Sequence, residues 1–193
     1  MSFFDRIAPH YDRFHDLLRL GHPEAVTDLL SLAGGETLLD VGGGTGRFAA
    51  SLLPRLAEAW VLDASPAMLA RVPSGVRTCR GDAAALPFPD GSFRRVLLSY
   101  VLHHLEDPRA ALREAARVVA PGGRVVVHDL DPTRRAGRLA QGLEGALLPV
   151  RALSPEEVGK VLGSCGLLPA GRRDGSWWVA LGFRRPEEGA RKG

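Results

Sequence analysis

The 193-residue sequence predicts one α/β domain: a doubly wound, seven-stranded, mostly parallel sheet with helices on both faces and an antiparallel hairpin at its C-terminal end. Three observations predict it. Strand-like and helix-like stretches alternate through five strands between Thr37 and His128. Apolar runs such as Leu38, Leu39 and Val41 read as strands buried on both faces, as parallel sheets require. The last two strand-like stretches flank Asp174-Gly175, a hairpin turn pair.

In chain order, residues 2–20 place Phe3, Phe4, Ile7, Tyr11, Phe14, Leu17 and Leu18 on one helical face, with Pro9 interrupting it. A second helix over 23–33 starts at Pro23 and ends at Gly34 and Gly35. Strand one spans Thr37 to Val41, and a helix over roughly 46–56 carries Phe48, Leu52, Leu53 and Leu56. Strand two runs from Ala59 to Leu62 and ends in Asp63; Ser65 then caps a helix with Pro66 first. Strand three is Val76–Arg80 and strand four Arg94–Ser99. The helix from Pro108 to Val119 shows a core stripe of Ala111, Leu112, Ala115, Val118 and Val119. Strand five covers Gly123–His128. Residues 132–153 read as a helix and loop with one apolar side, Leu139, Leu143, Leu147 and Leu148. Ser154, Pro155 and two glutamates open a helix that stops at Gly166. In the closing hairpin Trp177 and Trp178 point to opposite faces as packing residues, and 186–193 form a flexible tail.

Composition narrows the function. Hydrophobic residues make up 45% and charged residues 24%, with a net charge of +3. The arginines are scattered rather than striped, which disfavours nucleic acid as a partner. Cys79 and Cys165 form no metal spacing or disulfide framework and suit a reducing, cytoplasmic compartment. No stretch resembles a signal peptide or a membrane span. His128, Asp129 and Asp131 lie too close along the chain to converge on a metal, so no metal is expected.

The segment LLDVGGGTGRF, residues 38–48, has the chemistry on which a site can be built. Glycines 42, 44 and 46 let a ligand lie against bare peptide, and free N–H groups of the turn are expected to face it. Their G-x-G-x-G spacing differs from the G-x-G-x-x-G of dinucleotide sites, and Arg47 stands where the last glycine is wanted. Asp40 repels a pyrophosphate and suits a cationic ligand end. Asp63, 17 residues after Gly46, offers two carboxylate oxygens to the vicinal hydroxyls of a ribose.

DVGGGTG, GDAAALPFPDGSF and YVLHHLEDPRAALREAARVVAPGG together resemble the class I S-adenosylmethionine-dependent methyltransferases, and the N-terminal FFDRIAPHYDRF resembles their ubiquinone/menaquinone-biosynthesis-like group. The resemblance covers roughly residues 36–129 and implies a Rossmann-like methyltransferase fold with S-adenosylmethionine as cofactor. It implies that residues 1–33 form a helical lid containing Tyr11 and that 132–153 form an acceptor-side insertion. It implies cofactor contacts from Asp40, Gly42, Gly44, Gly46, Asp63, Ala64, Met68, Asp82, Ala83 and Ser99. Tyr11 reads equally as part of an anchor helix, and Met68 equally as a core residue. His103 and His104, just past strand four, are the candidates for a general base, although structural roles suit them better. His10 and His15 read as surface residues.

The expected activity is in-line methyl transfer to a small-molecule acceptor through oxygen, nitrogen or carbon. A non-catalytic cofactor-binding module or sensor is the alternative. A nicotinamide oxidoreductase is a third reading, opposed by the glycine spacing and Asp40.

Overall fold

Two apolar clusters, one on each face of a seven-stranded sheet, hold the chain together. The computed structural model describes residues 3–9, 23–145 and 151–187. The strands are β1 (Glu36–Val41), β2 (Leu56–Asp63), β3 (Arg77–Arg80), β4 (Phe93–Ser99), β5 (Val119–Leu130), β6 (Leu168–Asp174) and β7 (Trp178–Arg184). The helices are α1 (Phe3–Ile7), α2 (Pro23–Leu30), α3 (Arg47–Leu52), α4 (Pro66–Leu69), α5 (Pro108–Val118), α6 (Arg135–Gly145) and α7 (Pro155–Ser164).

The sheet order is β3-β2-β1-β4-β5-β7-β6, with β7 antiparallel to both its neighbours and the other pairings parallel. Successive residues enter opposite clusters: Leu39, Leu98 and Val127 pack with α5 and α7, whereas Leu38, Leu97 and Val126 pack with α2 and α3. The chain reverses its winding between β1 and β4. Open α/β sheets bind ligands outside the carboxyl ends of the strands at such a point. At the other end of the sheet, the buried Glu36–Arg95 pair, 2.9 Å, ties α2 down through the Leu30 and Ser31 carbonyls.

Some boundaries differ from the sequence reading. The helix expected to reach 56 stops at Leu52. Pro54 turns the chain through a 3₁₀ segment, Leu53–Arg55, and Leu56 already belongs to β2. β5 begins at Val119 and ends at Leu130, beyond both expected limits, because β4 and β7 pair with it along that length. The first helix stops at Ile7, close to Pro9. Ser154 and Glu157 form the expected capping box of α7. Leu139, expected on a packed apolar side, is 66% exposed. Leu147 and Leu148 lie outside the described residues, as do Tyr11, Phe14, Leu17, Leu18, His10 and His15. No helix among the described residues is long and apolar enough to cross a membrane.

Candidate functional site

A cavity of about 620 Å³ opens at the switch point, within the ordinary range for small-molecule sites. Its walls come from the turn after β1, the tips of β2 and β3, and the segment after β4, with Phe4 of α1 closing one side. Gly42, Gly44, Asp63, Ala64, Met68, Asp82, Ala83 and His104 are the sequence-expected residues that border it.

Local chemistry places each wall. Gly42, Gly44 and Gly46 have φ of 68°, 57° and 69°, where a side chain strains the backbone. A Cβ on Gly42 would sit 2.2 Å from a Val101 methyl across the cavity mouth. The turn's N–H groups, however, are largely engaged within the protein, contrary to the expectation that they face a ligand. Gly42 and Gly43 donate to Leu62 O, Gly44 donates to Asp63 Oδ2 at 2.9 Å, and Gly46 donates to Gly43 O. The turn therefore offers bare surface more than donors.

Asp63 is held in place by those contacts. Its Oδ2 accepts from Gly44 and its Oδ1 from Ser65 N–H at 2.8 Å, with the Ala64 N–H adding to them; a carboxylate's lone pairs outnumber these donors. Burial pushes its carboxyl above the ordinary range despite these bonds. Ser65 caps α4 by accepting from Met68 N–H and donates its hydroxyl proton to Asp5 Oδ1 at 2.5 Å. Asp82, exposed at the rim, accepts from Ala84 N–H and pairs across a short bridge with Ala85. The loop that follows is clamped by α5: Glu114 accepts Leu86 N–H, while Arg117 donates to Leu86 O and Phe88 O.

Asp40 does not border the cavity. It is 3% exposed and lies against Gly43, where an added Cβ would be 2.8 Å from its carboxyl carbon. Burial, with the charge of Asp63, pushes its carboxyl up to about 7. Gly46 packs against Val72 and Val61 instead of the cavity, and Ser99 turns away to hydrogen-bond His128 Nδ1 at 3.1 Å. These three expected contacts are therefore not among the cavity-lining residues.

The histidine pair divides. His103 is 1% exposed, its Nδ1 bonded to Asp129 Oδ1; His104 borders the cavity, its ring edge-on to Phe4 at 5.1 Å. His128, Asp129 and Asp131 serve different partners: Ser99, His103, and Thr133 with Arg134. Sequence reasoning missed Phe4, Leu62, Arg80, Gly81, Val101 and Leu105 as wall residues. Tyr100 also borders the cavity, its non-glycine φ of 50° set by a bond from its N–H to His128 O at 2.8 Å.

The comparisons with known proteins bear on the family and the fold. Residues 39–127 match a family described as a methyltransferase domain. The chain is 36% identical over 133 residues to demethylmenaquinone methyltransferase of Renibacterium salmoninarum, with 65% of this chain and 56% of that protein aligned. It is 36% identical over 139 residues to the ubiquinone/menaquinone biosynthesis C-methyltransferase UbiE of Roseobacter denitrificans, aligning 64% of this chain and 56% of that one. The match thus spans little more than half the length of these relatives. Among solved structures, an S-adenosylmethionine-dependent methyltransferase from Thermotoga maritima superposes with a TM-score of 0.78 at 22% identity, covering 94% of this chain and 97% of that one.

Proposed function

We propose that this chain, whose residues 39–127 match a methyltransferase domain and which is similar to methyltransferases of the menaquinone and ubiquinone group, transfers a methyl group from S-adenosylmethionine to a small planar aromatic acceptor. The observation that carries the reading is the convergence of Gly42, Gly44, Asp63, Met68, Asp82 and Ala83 on one cavity. These residues suit the cofactor group by group. Asp63 has carboxylate capacity left for a ribose diol. Ala83, Leu62 and Met68 give an apolar slot for a purine, with Asp82 at its edge to accept from an exocyclic amine. Gly42 and Gly44 leave room for the amino acid end; Asp63 favours its positive charges from the cavity wall and Asp40 from behind Gly43.

When bound, the cofactor supplies an activated methyl: the acceptor's electron pair forms the new bond to carbon as the carbon–sulfur pair leaves on sulfur. The chain's own part is to bind, align and exclude water. Phe4, Tyr100, Val101, His104 and Leu105 give the same cavity aromatic and apolar lining. Such a lining fits a flat ring, and the relatives are named as a demethylmenaquinone methyltransferase and a ubiquinone/menaquinone biosynthesis C-methyltransferase.

The test is calorimetric binding of S-adenosylmethionine, followed by transfer of labelled methyl to 1,4-naphthohydroquinone, catechol and an amine of similar size. Asp82→Ala is the informative variant, because Asp82 makes only a local turn contact. Losing about 1.4 kcal/mol of hydrogen bonding weakens cofactor affinity at least tenfold. Unchanged affinity in that variant refutes the cofactor pose. Tight binding without turnover of any acceptor favours a binding module.

A further inference from the structure

We propose that His104 takes the proton given up by the acceptor, and that Asp129, acting through His103, is the positioning residue that sustains the charge this creates. The inference rests on the methyl-transfer reading above and adds to it a proton path and a residue at the end of β5.

The geometry begins with the 3₁₀ turn Leu102–His104, which sends two neighbouring side chains in different directions. His103 goes into the interior and His104 to the cavity wall, with their ring centroids 3.9 Å apart. Behind them stands Asp129, 6% exposed. Its Oδ1 accepts from His103 Nδ1 and from Leu130 N–H at 2.7 Å, and its Oδ2 accepts from His103 N–H at 3.3 Å. A carboxylate with this many donors stays ionised although buried. Burial pushes the Asp129 carboxyl up, but His103, the Leu130 N–H and the more distant His104 outweigh it and hold the group below the carboxylate range.

A buried carboxylate needs a compensating positive charge, and the imidazoles are the groups placed to supply it. The bond to Asp129 fixes Nδ1 of His103 as a donor, and the His103 ring lies between the carboxylate and His104. A proton arriving on His104 is thus stabilised by an anion one ring away. A hydroxyl proton of the acceptor goes to a ring nitrogen of His104; the oxygen pair so released either attacks the methyl itself or moves into the ring so that a ring carbon attacks, that carbon then losing its own proton to restore the aromatic ring. Other groups facing this end of the site are Tyr100 at the end of β4, Phe4 and Asp5 on α1, and Asp63, Asp82 and Arg80 around the same cavity. The Arg151 N–H fixes the turn by donating to His103 O at 2.8 Å.

A pair present only to fill the interior leaves the titration of His104 unmoved by the charge of Asp129, and this separates the two roles. The experiment follows histidine ring signals of the full chain by NMR against pH, with His104 identified by its loss in His104→Gln. The wild type shows His104 taking up a proton as pH falls, and Asp129→Asn lowers its proton affinity tenfold or more. With 1,4-naphthohydroquinone as acceptor, the acid limb of kcat/KM moves to lower pH in Asp129→Asn and the plateau falls. His104→Gln loses the limb and about a hundredfold in rate. S-adenosylhomocysteine affinity stays within twofold in Asp129→Asn. An Asp129→Asn protein whose His104 titrates as in the wild type overturns the proposal, as does a His104→Gln protein that keeps the wild-type rate and limb. If Asp129→Asn does not fold, the wild type still decides: a His104 that stays neutral down to pH 5 overturns it. A wild type that binds S-adenosylhomocysteine but methylates none of the acceptors sinks the functional reading instead, with the NMR coupling standing or falling separately.

Discussion

Asp40 shows how one side chain can tie ligand binding to pH. Its carboxyl has a folded pKa of about 7 against an ordinary value of 3.8, raised by burial first and by Asp63 second. An acid raised in the folded state favours folding while protonated. That contribution is complete below about pH 4 and is lost as pH rises through about 7, up to roughly 4 kcal/mol at 1.36 kcal/mol per unit. A cationic ligand in the cavity on the far side of Gly43 reverses the preference, because it stabilises the ionised form. Cofactor affinity therefore rises between pH 6 and 8, with protons released on binding. Calorimetry in two buffers of different ionisation enthalpy measures that release. Asp40→Asn abolishes the pH dependence and weakens binding, while the ligand-free protein at pH 8 melts no lower than the wild type. Of the cavity residues, Asp63, Asp82, Gly42 and Gly44 were legible in the sequence because they sit in short local motifs that fix where a strand ends. Asp40 was legible in kind but not in place: nothing in LLDVGGG says that the carboxylate lies beneath Gly43 instead of in the cavity.

At the scale of elements, α5 governs a loop it does not touch in sequence. Glu114 and Arg117, one turn apart, together bind Leu86 N–H, Leu86 O, Phe88 O and Asp90, so the segment after Asp82–Ala83 is clamped to the helix. Arg117 also forks onto both oxygens of Glu114, 2.7 Å each. Arg117→Met removes the fork and leaves two carbonyls to find water. Allowing for solvent reach, stability falls by about 1–2 kcal/mol, and cofactor affinity falls several-fold through the loosened loop. Thermal denaturation and calorimetry check the two effects, and hydrogen exchange at residues 83–90 rises in the variant. The sequence shows this helix's core stripe but not its clamp, since contacts between positions 28 and 31 residues apart leave no local pattern. The same distance hid Asp129 as the partner of His103, 26 residues away on the neighbouring strand. Element boundaries moved for a related reason: β5 lengthened because its neighbours on both sides were available to pair.

For the whole molecule, α1 spans the two halves of the sheet. Asp5 accepts from Ser65 on the bank after β2, while Phe4 meets His104 on the bank after β4. The segment thus bridges the cleft that the doubly wound topology opens between β1 and β4. Five helical residues cannot hold themselves together in water, so α1 keeps its shape through these contacts and not through its own propensity. It is therefore the element whose order depends most on what fills the cavity beneath it. Breaking either anchor loosens the bridge without removing the sheet's core. Phe4→Ala and Ser65→Ala accordingly raise the dissociation rate of S-adenosylhomocysteine three- to tenfold in stopped-flow displacement, with Phe4→Ala leaving the melting temperature of the ligand-free chain nearly unchanged. Because Ser65 also caps α4, Ser65→Ala costs about 1 kcal/mol of stability in addition. Hydrogen exchange over residues 3–9 slows when the ligand binds the wild type and slows less in both variants. Equal slowing in all three proteins would show that the bridge does not hold the ligand in.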